Sequence, residues 1–210
     1  MSWRLRSPRT LVASYPLNGH AEDVSGHGLD GTWSGTKAYA AFLKCSRQAA
    51  DLAGTDDYVQ LPLAAADFMD GQTAFSIACW FLADASPGVI FDFRDADNDG
   101  VSLEYIAAGI EFRVNTIDSV SAAAALGHWT HVVAVKEAAG VQRLYVDGEH
   151  VDTDDSSAET IAVTAPPRLG IDSYDLNGDF NGRIADVCLY NVALTSDEIL
   201  TLMRMPVPTY

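Results

Sequence analysis

AFSIACWFL, residues 74–82, is the stretch of sequence that decides the fold class. Successive side chains of an extended strand point to opposite faces. One face therefore carries Phe75, Ile77, Cys79 and Phe81, and the other carries Ala78, Trp80 and Leu82. Both faces are apolar, and a strand of this kind is buried on both sides. The stretch predicts a strand at the centre of a covered β-sheet.

Short runs of alternating apolar residues recur along the chain, separated by Gly, Asp, Asn, Ser and Pro. This pattern is typical of an antiparallel β-sandwich. Residues 129–135 predict a second buried strand, and residues 141–151 predict a hairpin whose Asp147-Gly148 turn favours positive φ. Further strands are predicted at 11–17, 39–43, 57–62, 88–93, 101–106, 109–114, 167–171 and 180–190. The sequence therefore predicts an all-β protein with two antiparallel sheets.

One short helix is predicted near the end of the chain, where Thr195 precedes Glu198 by three residues in a capping box. An apolar stripe follows at Ile199, Leu202 and Met203, so we expect this helix to lie on the sandwich. The Ala-rich segments 64–66 and 122–125 are too short to nucleate helices, and we predict loops or short turns there. Residues 204–210 are predicted to be an extended tail.

The composition predicts one folded domain over residues 1–210, with its core at about 11–203. Of the 210 residues, 48% are hydrophobic and 20% are charged, which is the balance of a packed globule. The chain carries 29 acidic and 13 basic residues, for a net charge of −16. Phosphate backbones and anionic membranes would be repelled, so neither nucleic acid nor membrane is an expected partner.

The cellular compartment is predicted from the N-terminus and the cysteines. Residues 1–19 lack the apolar stretch of a signal peptide, and no segment approaches the roughly 20 apolar residues of a membrane span. Cys45, Cys79 and Cys188 are odd in number and far apart, which favours free, buried thiols. We predict folding in the cytoplasm without a Sec signal, followed by a place in a virion or an extracellular assembly.

Six strings, in this order, carry a resemblance to a known family: LVASYPLNGHAEDVSGHGLDGT at 11–32, DDYVQLP at 56–62, FSIACWF at 75–81, HWTHVVAV at 128–135, LYVDGEHV at 144–151 and FNGRIADVCLYNVALTSDEI at 180–199. Together they resemble the laminin-G-like, concanavalin A-like jelly-roll superfamily, which includes pentraxins and many bacterial glycan-binding modules. The resemblance implies a jelly-roll sandwich that recognises a glycan or a protein surface.

The resemblance also implies a structural Ca²⁺ ion between the first loop and the penultimate strand. Its ligands would be the side chains of Asp23 and Asp186 with carbonyls around Gly28, because Ca²⁺ takes six to eight oxygen ligands. The family often has two acidic residues in that strand, whereas this chain has Ala185 at the first position. The alternative is structural: Asp23 caps the Ser-Gly turn and Asp186 bonds neighbouring backbone.

DADNDG, residues 95–100, resembles the start of an EF-hand loop, in which alternate carboxylates face one ion. The acidic residues are Asp95, Asp97 and Asp99. Ile106 stands at the twelfth position, where an EF-hand needs glutamate, and predicted strands flank the loop in place of helices. An acidic hairpin turn is therefore favoured, with at most a weak second cation site.

No catalytic residue is predicted. Glycosidases of this fold class use paired carboxylates, but no E-x-D-x-E strand pattern occurs in the sequence. Glu104 and Glu111 lie on adjacent predicted strands and could approach each other, although such surface pairs are usually solvated. A glycoside hydrolase is the least favoured of three functional hypotheses.

A ligand site is predicted from polar and aromatic residues near loops. Trp80 and Trp129 lie in apolar strands and are interpreted as core. Glu111 and Arg113 share one strand face, and with Tyr105 nearby they would form a polar groove; Tyr174 lies in a loop and could also face a ligand.

Two further hypotheses concern what the domain does in its context. The first is a non-enzymatic recognition or attachment module within a larger assembly, such as a phage tail, a capsid decoration or a cell-surface complex. The second is a purely structural assembly protein without a glycan ligand. Exposed edge strands favour homo-oligomer or assembly contacts in either case.

Overall fold

The apolar stretch around residues 74–82 forms a nine-residue strand in the middle of an eight-stranded sheet. The computed structural model describes residues 11–42, 47–53, 56–71, 74–95, 99–107, 109–115, 118–138, 140–155, 161–162 and 164–204. Across these residues the protein is mostly β, with two antiparallel sheets forming a sandwich and a short C-terminal helix. The predicted fold class is confirmed.

The strands are, in chain order, β1 (Leu11–Tyr15), β2 (Thr32–Ser34), β3 (Tyr39–Phe42), β4 (Arg47–Ala53), β5 (Tyr58–Gln60), β6 (Phe75–Ala83), β7 (Gly88–Asp92), β8 (Val101–Ile106), β9 (Gly109–Val114), β10 (Asp118–Ala123), β11 (Thr130–Lys136), β12 (Gln142–Val146), β13 (Glu149–Asp154), β14 (Arg168–Leu169) and β15 (Asn181–Tyr190). Helix α1 spans Ser196–Arg204, and two turns of 3-10 helix span Leu63–Ala65 and Asp67–Met69.

We call the two layers sheet A and sheet B. Sheet A has the order β13-β12-β11-β6-β15-β4-β3, and β1 also pairs with β15. Sheet B has the order β10-β9-β8-β7-β14-β5-β2. All of these pairings are antiparallel. Each sheet therefore has one inner face toward the other sheet and one outer face.

The main core lies between the inner faces. Phe81 of β6 packs at 6.0 Å from Tyr105 of β8 and at 6.5 Å from Phe180, measured between ring centroids. Phe75 at the start of β6 contacts Phe112 of β9 at 6.4 Å, edge to face. Removing this apolar surface from water is the main force that joins the two sheets.

Three observed strands were not predicted, namely β2, β4 and β10. Residues 122–125 were expected to be a loop, but Ala122 and Ala123 are the last residues of β10, opposite Ile110 and Gly109. A Cβ at Gly109 would lie 2.1 Å from the carbonyl oxygen of Ala122. Small residues on both sides allow this close pairing, and they also remove the apolar alternation by which strands are recognised.

Helix α1 begins as its sequence predicts. The Thr195 N–H donates to Glu198 Oε2 at 2.9 Å, and the Glu198 N–H donates to Thr195 Oγ1 at 3.4 Å, so the capping box is confirmed. Ile199 is fully buried on the outer face of sheet A, in a cluster with Val133 and Tyr145. No helix in the described part of the chain is long and apolar enough to cross a membrane.

The segment that leads into α1 is held by a buried serine on β6. Ser76 Oγ donates to the carbonyl oxygen of Val192 at 2.9 Å and accepts the Leu194 N–H at 2.9 Å. The turn Asp147-Gly148, with φ of 50° and 81°, lies under the helix and has the predicted conformation. The helix therefore covers one half of the outer face of sheet A.

Two of the three cysteines are described, and both are free thiols. Cys79 faces the main core and Cys188 faces α1. Burial raises the pKa of both, and it raises that of Cys188 to about 11. They are therefore uncharged at neutral pH and pack as small apolar groups. Cys45 lies outside the described residues.

Candidate functional site

A continuous line of polar side chains crosses the outer face of sheet B. The strand registers align, from β10 to β2, the residues Ser119, Arg113, Ser102, Asp92, Arg168, Gln60 and Thr32. Aligned residues of antiparallel strands point to the same face. We call these seven residues the polar row. Its members that reach solvent supply both hydrogen-bond donors and acceptors along one side of the sandwich, namely Ser119, Arg113, Arg168, Gln60 and Thr32.

Arg94, which follows β7, joins three carboxylates beside the polar row. Its Nε lies 2.6 Å from Asp92 Oδ2, and its Nη2 lies 2.8 Å from Glu104 Oε1 and 2.9 Å from Asp172 Oδ2. The guanidinium is largely buried. Burial opposes its charge, but the carboxylates outweigh this effect and raise the pKa of Arg94. The planar fork thereby fixes the three acidic side chains relative to one another.

Two members of the polar row, Ser102 and Asp92, have no exposed surface, and the charged one of the two is Asp92. Its Oδ1 accepts hydrogen bonds from the Arg94 N–H at 2.9 Å and the Ser173 N–H at 3.0 Å. Ser173 Oγ donates to the Asp92 carbonyl oxygen at 2.6 Å. Burial raises the pKa of Asp92 to about 6, even though Arg94 and these donors favour the carboxylate.

The Ser173 contacts position a loop beside the polar row. We call residues 172–178 the tyrosine loop, because Tyr174 is 59% exposed on it and Leu176 is 44% exposed. Asp172 Oδ1 accepts the Tyr174 N–H at 2.6 Å, and Arg168 of the polar row donates to the carbonyl oxygen of Ser173. The loop thus presents an aromatic ring on a fixed backbone.

Glu111 and Arg113 lie together on the outer face of β9, as predicted. Arg113 Nη2 is 2.5 Å from Glu111 Oε2. Glu111 is directly opposite Glu104 on β8. Glu111 is paired with Arg113, and Glu104 is paired with Arg94, which it shares with Asp92 and Asp172. The arrangement partly offsets the charge of both acids and adds polar groups to the face beside the row.

The position of Tyr105 contradicts its predicted place in the ligand groove. It is only 1% exposed, and its hydroxyl donates to the Ala124 carbonyl oxygen at 2.7 Å. Its neighbour Glu104 points outward, and consecutive strand residues point to opposite faces. Tyr105 therefore lies in the core and cannot contact a ligand on the outer face of sheet B, whereas the predicted Tyr174 is exposed on the tyrosine loop.

Asp23 organises the first loop. Its Oδ1 accepts the N–H groups of Ser14 at 2.9 Å and Ser25 at 2.8 Å, and its Oδ2 accepts Ser25 Oγ at 2.8 Å and the Leu29 N–H at 3.1 Å. Burial opposes ionisation, but these hydrogen bonds together lower the pKa of Asp23. The carboxylate ties the loop to β1.

Asp186 lies at a bulge of β15, with a φ of 50°. Its carboxylate faces the buried guanidinium of Arg47, with Oδ1 at 2.8 Å from Nη2 and Oδ2 at 3.2 Å from Nη1. A cation bound there would be repelled by Arg47. Among the described residues no three His, Cys, Asp or Glu side chains form a group that could hold a metal ion. Asp23 and Asp186 therefore do not fit the implied calcium ion, which stays a prediction that their contacts do not support.

The other predicted cation ligands lie in turns. Gly28 is exposed, with a φ of 70°. The Asp95 N–H donates to the Asp99 carbonyl oxygen at 3.0 Å, and Asp95 Oδ1 accepts the Asp99 N–H at 3.1 Å, as in an acidic turn between strands. Asp97 lies outside the described residues. These contacts agree with the hairpin-turn alternative.

The interpretation of Trp80 and Trp129 as core residues is wrong, because neither lies in the main core between the sheets. Both lie half-buried on the outer face of sheet A, around buried Phe42. The Phe42 ring centroid is 6.0 Å from that of Trp80 and 4.5 Å from that of Trp129, and Trp80 is 5.1 Å from His131. We call these four residues the aromatic patch. The sequence predicts that Trp80 lies on the strand face opposite Phe81, but it predicts a covered face and not a partly exposed one.

Both faces belong to a lectin-like β-sandwich, and a comparison with protein families agrees with this class. The model of the concanavalin A-like lectin/glucanases superfamily matches residues 53–200. The chain belongs to this superfamily, and the suspected resemblance is confirmed. A search of curated proteins found no match.

Solved structures show the same fold. Domain 4 of AbnA, a GH43 extracellular arabinanase from Geobacillus stearothermophilus in complex with arabinotriose, has a TM-score of 0.75 and 21% identity over 93% of this chain and 98% of its own. Botulinum neurotoxin type C, whose cell entry depends on two ganglioside molecules, has a TM-score of 0.73 and 17% identity. The binding domain of botulinum neurotoxin DC in complex with rat synaptotagmin II has a TM-score of 0.73 and 16% identity. The match to each toxin covers 93% of this chain and 51% of the toxin chain.

Proposed function

We propose that this chain is a non-enzymatic recognition module that binds a glycan on the outer face of sheet B. The observation that carries the proposal is the polar row with the exposed Tyr174 held beside it. Carbohydrate sites combine fixed donors and acceptors for hydroxyl groups with an aromatic ring for the apolar side of the sugar. The superfamily and the arabinotriose complex of the AbnA domain support this class of ligand.

Pre-organisation supports binding at this face. Arg94 and Asp92 fix the tyrosine loop through Asp172 and Ser173, and Arg113 is fixed by Glu111. Side chains that are already ordered lose little conformational entropy when a ligand binds. Because Arg94 and Arg113 are already paired with four carboxylates, this surface suits an uncharged oligosaccharide better than a compact anion.

Hydrolysis is not proposed, because the two carboxylates considered as a glycosidase pair are both engaged in ion pairs with arginines. Glu104 and Glu111 are cross-strand neighbours, but each lies within 2.8 Å of an arginine nitrogen. A general acid needs a raised pKa and a nucleophile needs a free face toward the sugar. Incubation with the bound oligosaccharide should release no new reducing ends.

The test of the proposal is a glycan array followed by calorimetry on the best hit. We expect Tyr174→Ala and Arg113→Gln each to weaken binding about tenfold or more, because a stacking ring or a charged hydrogen bond is worth over 1 kcal/mol. Val151→Ala, at a 44% exposed site on edge strand β13 of the other sheet, is the matched control and should bind normally. Binding that both site variants retain would overturn the proposal.

We further propose that the module works within a larger assembly, such as a phage tail, a capsid decoration or a cell-surface complex. Strand β13 supports this proposal, because within the described part of the chain it is the terminal strand of sheet A, next to β12, and it exposes Val151. Light scattering after size exclusion tests self-association: a monomer at high concentration would exclude a homo-oligomer, and an oligomer that Val151→Lys dissociates would support one. An array without hits together with an oligomer would favour the purely structural alternative.

A further inference from the structure

We infer that the aromatic patch on the outer face of sheet A is a second carbohydrate site, which binds one pyranose ring through an uninterrupted C–H face. This inference does not depend on the polar row, which lies on the opposite sheet. It rests on the geometry of the patch, on the polar groups at its border and on its size.

The rings of the patch are held rigidly from below. Phe42 and His131 are each 3% exposed, and the half-buried rings of Trp80 and Trp129 pack against Phe42, with Trp80 also against His131. Ala185 of β15, directly opposite Trp80 in the register, is fully buried under the cluster. Because its side chain is a single methyl group, the indole can lie against the sheet. Rings fixed in this way need no ordering when a ligand stacks on them.

A charged border adjoins the patch. Arg183 points to the same face as Ala185, two residues away, and is opposite Leu82 of β6. Its Nε lies 3.3 Å from Asp51 Oδ1, and its Nη1 lies 3.7 Å from Asp84 Oδ2. These three side chains are 31%, 38% and 43% exposed, so they reach solvent. They offer both donors and acceptors to hydroxyl groups beside the tryptophan rings.

The size of the patch decides the class of ligand. A tryptophan side chain buries at most about 250 Å², so two half-buried indoles leave at most about 250 Å² exposed between them. A stable protein partner needs about 800 Å² on each side. The patch is too small for such an interface, but it matches one sugar ring, whose axial C–H groups pack on aromatic faces while its equatorial hydroxyls reach the border.

The experiment uses the whole ¹⁵N-labelled chain and follows the indole N–H resonances of its four tryptophans. Methyl β-D-glucopyranoside, which has axial C–H groups on both ring faces, is titrated into the millimolar range. Sorbitol, with similar hydroxyls and no ring, is the control probe. We expect the resonances of Trp80 and Trp129 to shift with the glucoside and not with sorbitol. Trp33, stacked at 5.3 Å on Tyr39, is the internal reference.

Variants separate this site from the polar row. Trp129→Ala should remove the shift of Trp80, whereas Trp129→Phe should retain part of it. Leu126→Ala, in the same loop and 48% exposed, is the matched control and should behave like the parent protein. Tyr174→Ala should weaken array binding but leave the Trp80 shift unchanged. No shift of Trp80 and Trp129, equal shifts with sorbitol, or a Trp80 shift that survives Trp129→Ala would each overturn the inference.

Discussion

The outer faces of the two sheets are stabilised by different kinds of contact. On sheet B, Arg94 contacts three carboxylates, and one of them, Asp92, has no exposed surface. On sheet A, half of the face is covered by α1 and the other half carries partly exposed aromatic rings. The polar face is held largely by charge, while the aromatic face is held largely by packing. The difference shows that a single β-sandwich core can support two chemically distinct surfaces.

The largest expected effect comes from placing a charge under the aromatic face. Ala185→Asp would bury an additional carboxylate at a site with no exposed surface. We expect a loss of about 3–5 kcal/mol in the free energy of unfolding, measured with urea, because a buried charge without its own partner is strongly destabilising. Ser119→Asp, at an exposed site of the polar row, is the control and should cost less than about 0.5 kcal/mol. A small loss for Ala185→Asp would mean that Arg47 accepts a second carboxylate.

Ala185 also shows what the sequence could and could not reveal about the site. The sequence shows that alanine replaces an acidic residue that the family often has at this position. It does not show that the side chain is packed against Phe42 and Trp129, because these residues come from distant parts of the chain. Likewise, the family resemblance implies a metal ligand at Asp186, and nothing in the sequence indicates that Arg47 lies opposite it. Contacts between strands that are far apart in sequence are set by the sheet order.

The fold was more predictable than the site, because period-two alternation is a local property. Strands β8 and β9 were predicted to the residue, and the capping box gave the start of α1. Strands β4 and β10 were missed because their outward residues are charged, small or polar and their inward ones include alanine. The polar row required the register of seven strands, which alternation alone does not supply.

The next effect separates the two faces by pH. Burial raises the pKa of Asp92 from its ordinary value of 3.8 to about 6, so the folded protein binds more protons than the unfolded chain between those values. Stability should therefore rise as the pH falls through this window, by up to about 3 kcal/mol. The measurement is the unfolding free energy of the parent minus that of Asp92→Asn across pH. Ala185→Gly, on the aromatic face, should show no such pH-dependent difference from the parent protein. If the difference in unfolding free energy between the parent and Asp92→Asn did not change with pH, the raised pKa of Asp92 would be contradicted.

A smaller effect is expected at Asp23, which ties the first loop to β1. Asp23→Ala removes four accepted hydrogen bonds and should cost about 2 kcal/mol at neutral pH. The folded pKa of Asp23 is lowered, so this contribution is present above the unfolded value and is lost as the pH falls through the folded one. Glu22→Ala, at the exposed neighbour, is the control.

The parent protein and Asp23→Ala also test whether the chain binds calcium. The melting temperature of the chelated parent protein should be the same with and without millimolar Ca²⁺, because the Asp23 carboxylate is saturated and Asp186 faces Arg47. If the protein bound Ca²⁺, a free concentration of 100 times the dissociation constant would raise the unfolding free energy by about 2.7 kcal/mol. A calcium-dependent rise that Asp23→Ala abolishes would restore the metal site.

The smallest effect concerns the covered half of sheet A. Thr195→Ala removes the N-cap of α1 and should cost about 1 kcal/mol, because the Glu198 N–H loses its partner at the first turn. Thr201→Ala is the control: its hydroxyl donates to the Asp197 carbonyl oxygen within the same helix, a contact that adds little to stability. The indole resonances of Trp80 and Trp129 should be unchanged in Thr195→Ala, since helix and patch cover separate clusters of the face. A shift of those resonances would show that the two halves of the face are coupled, and α1 would then take part in shaping the aromatic patch.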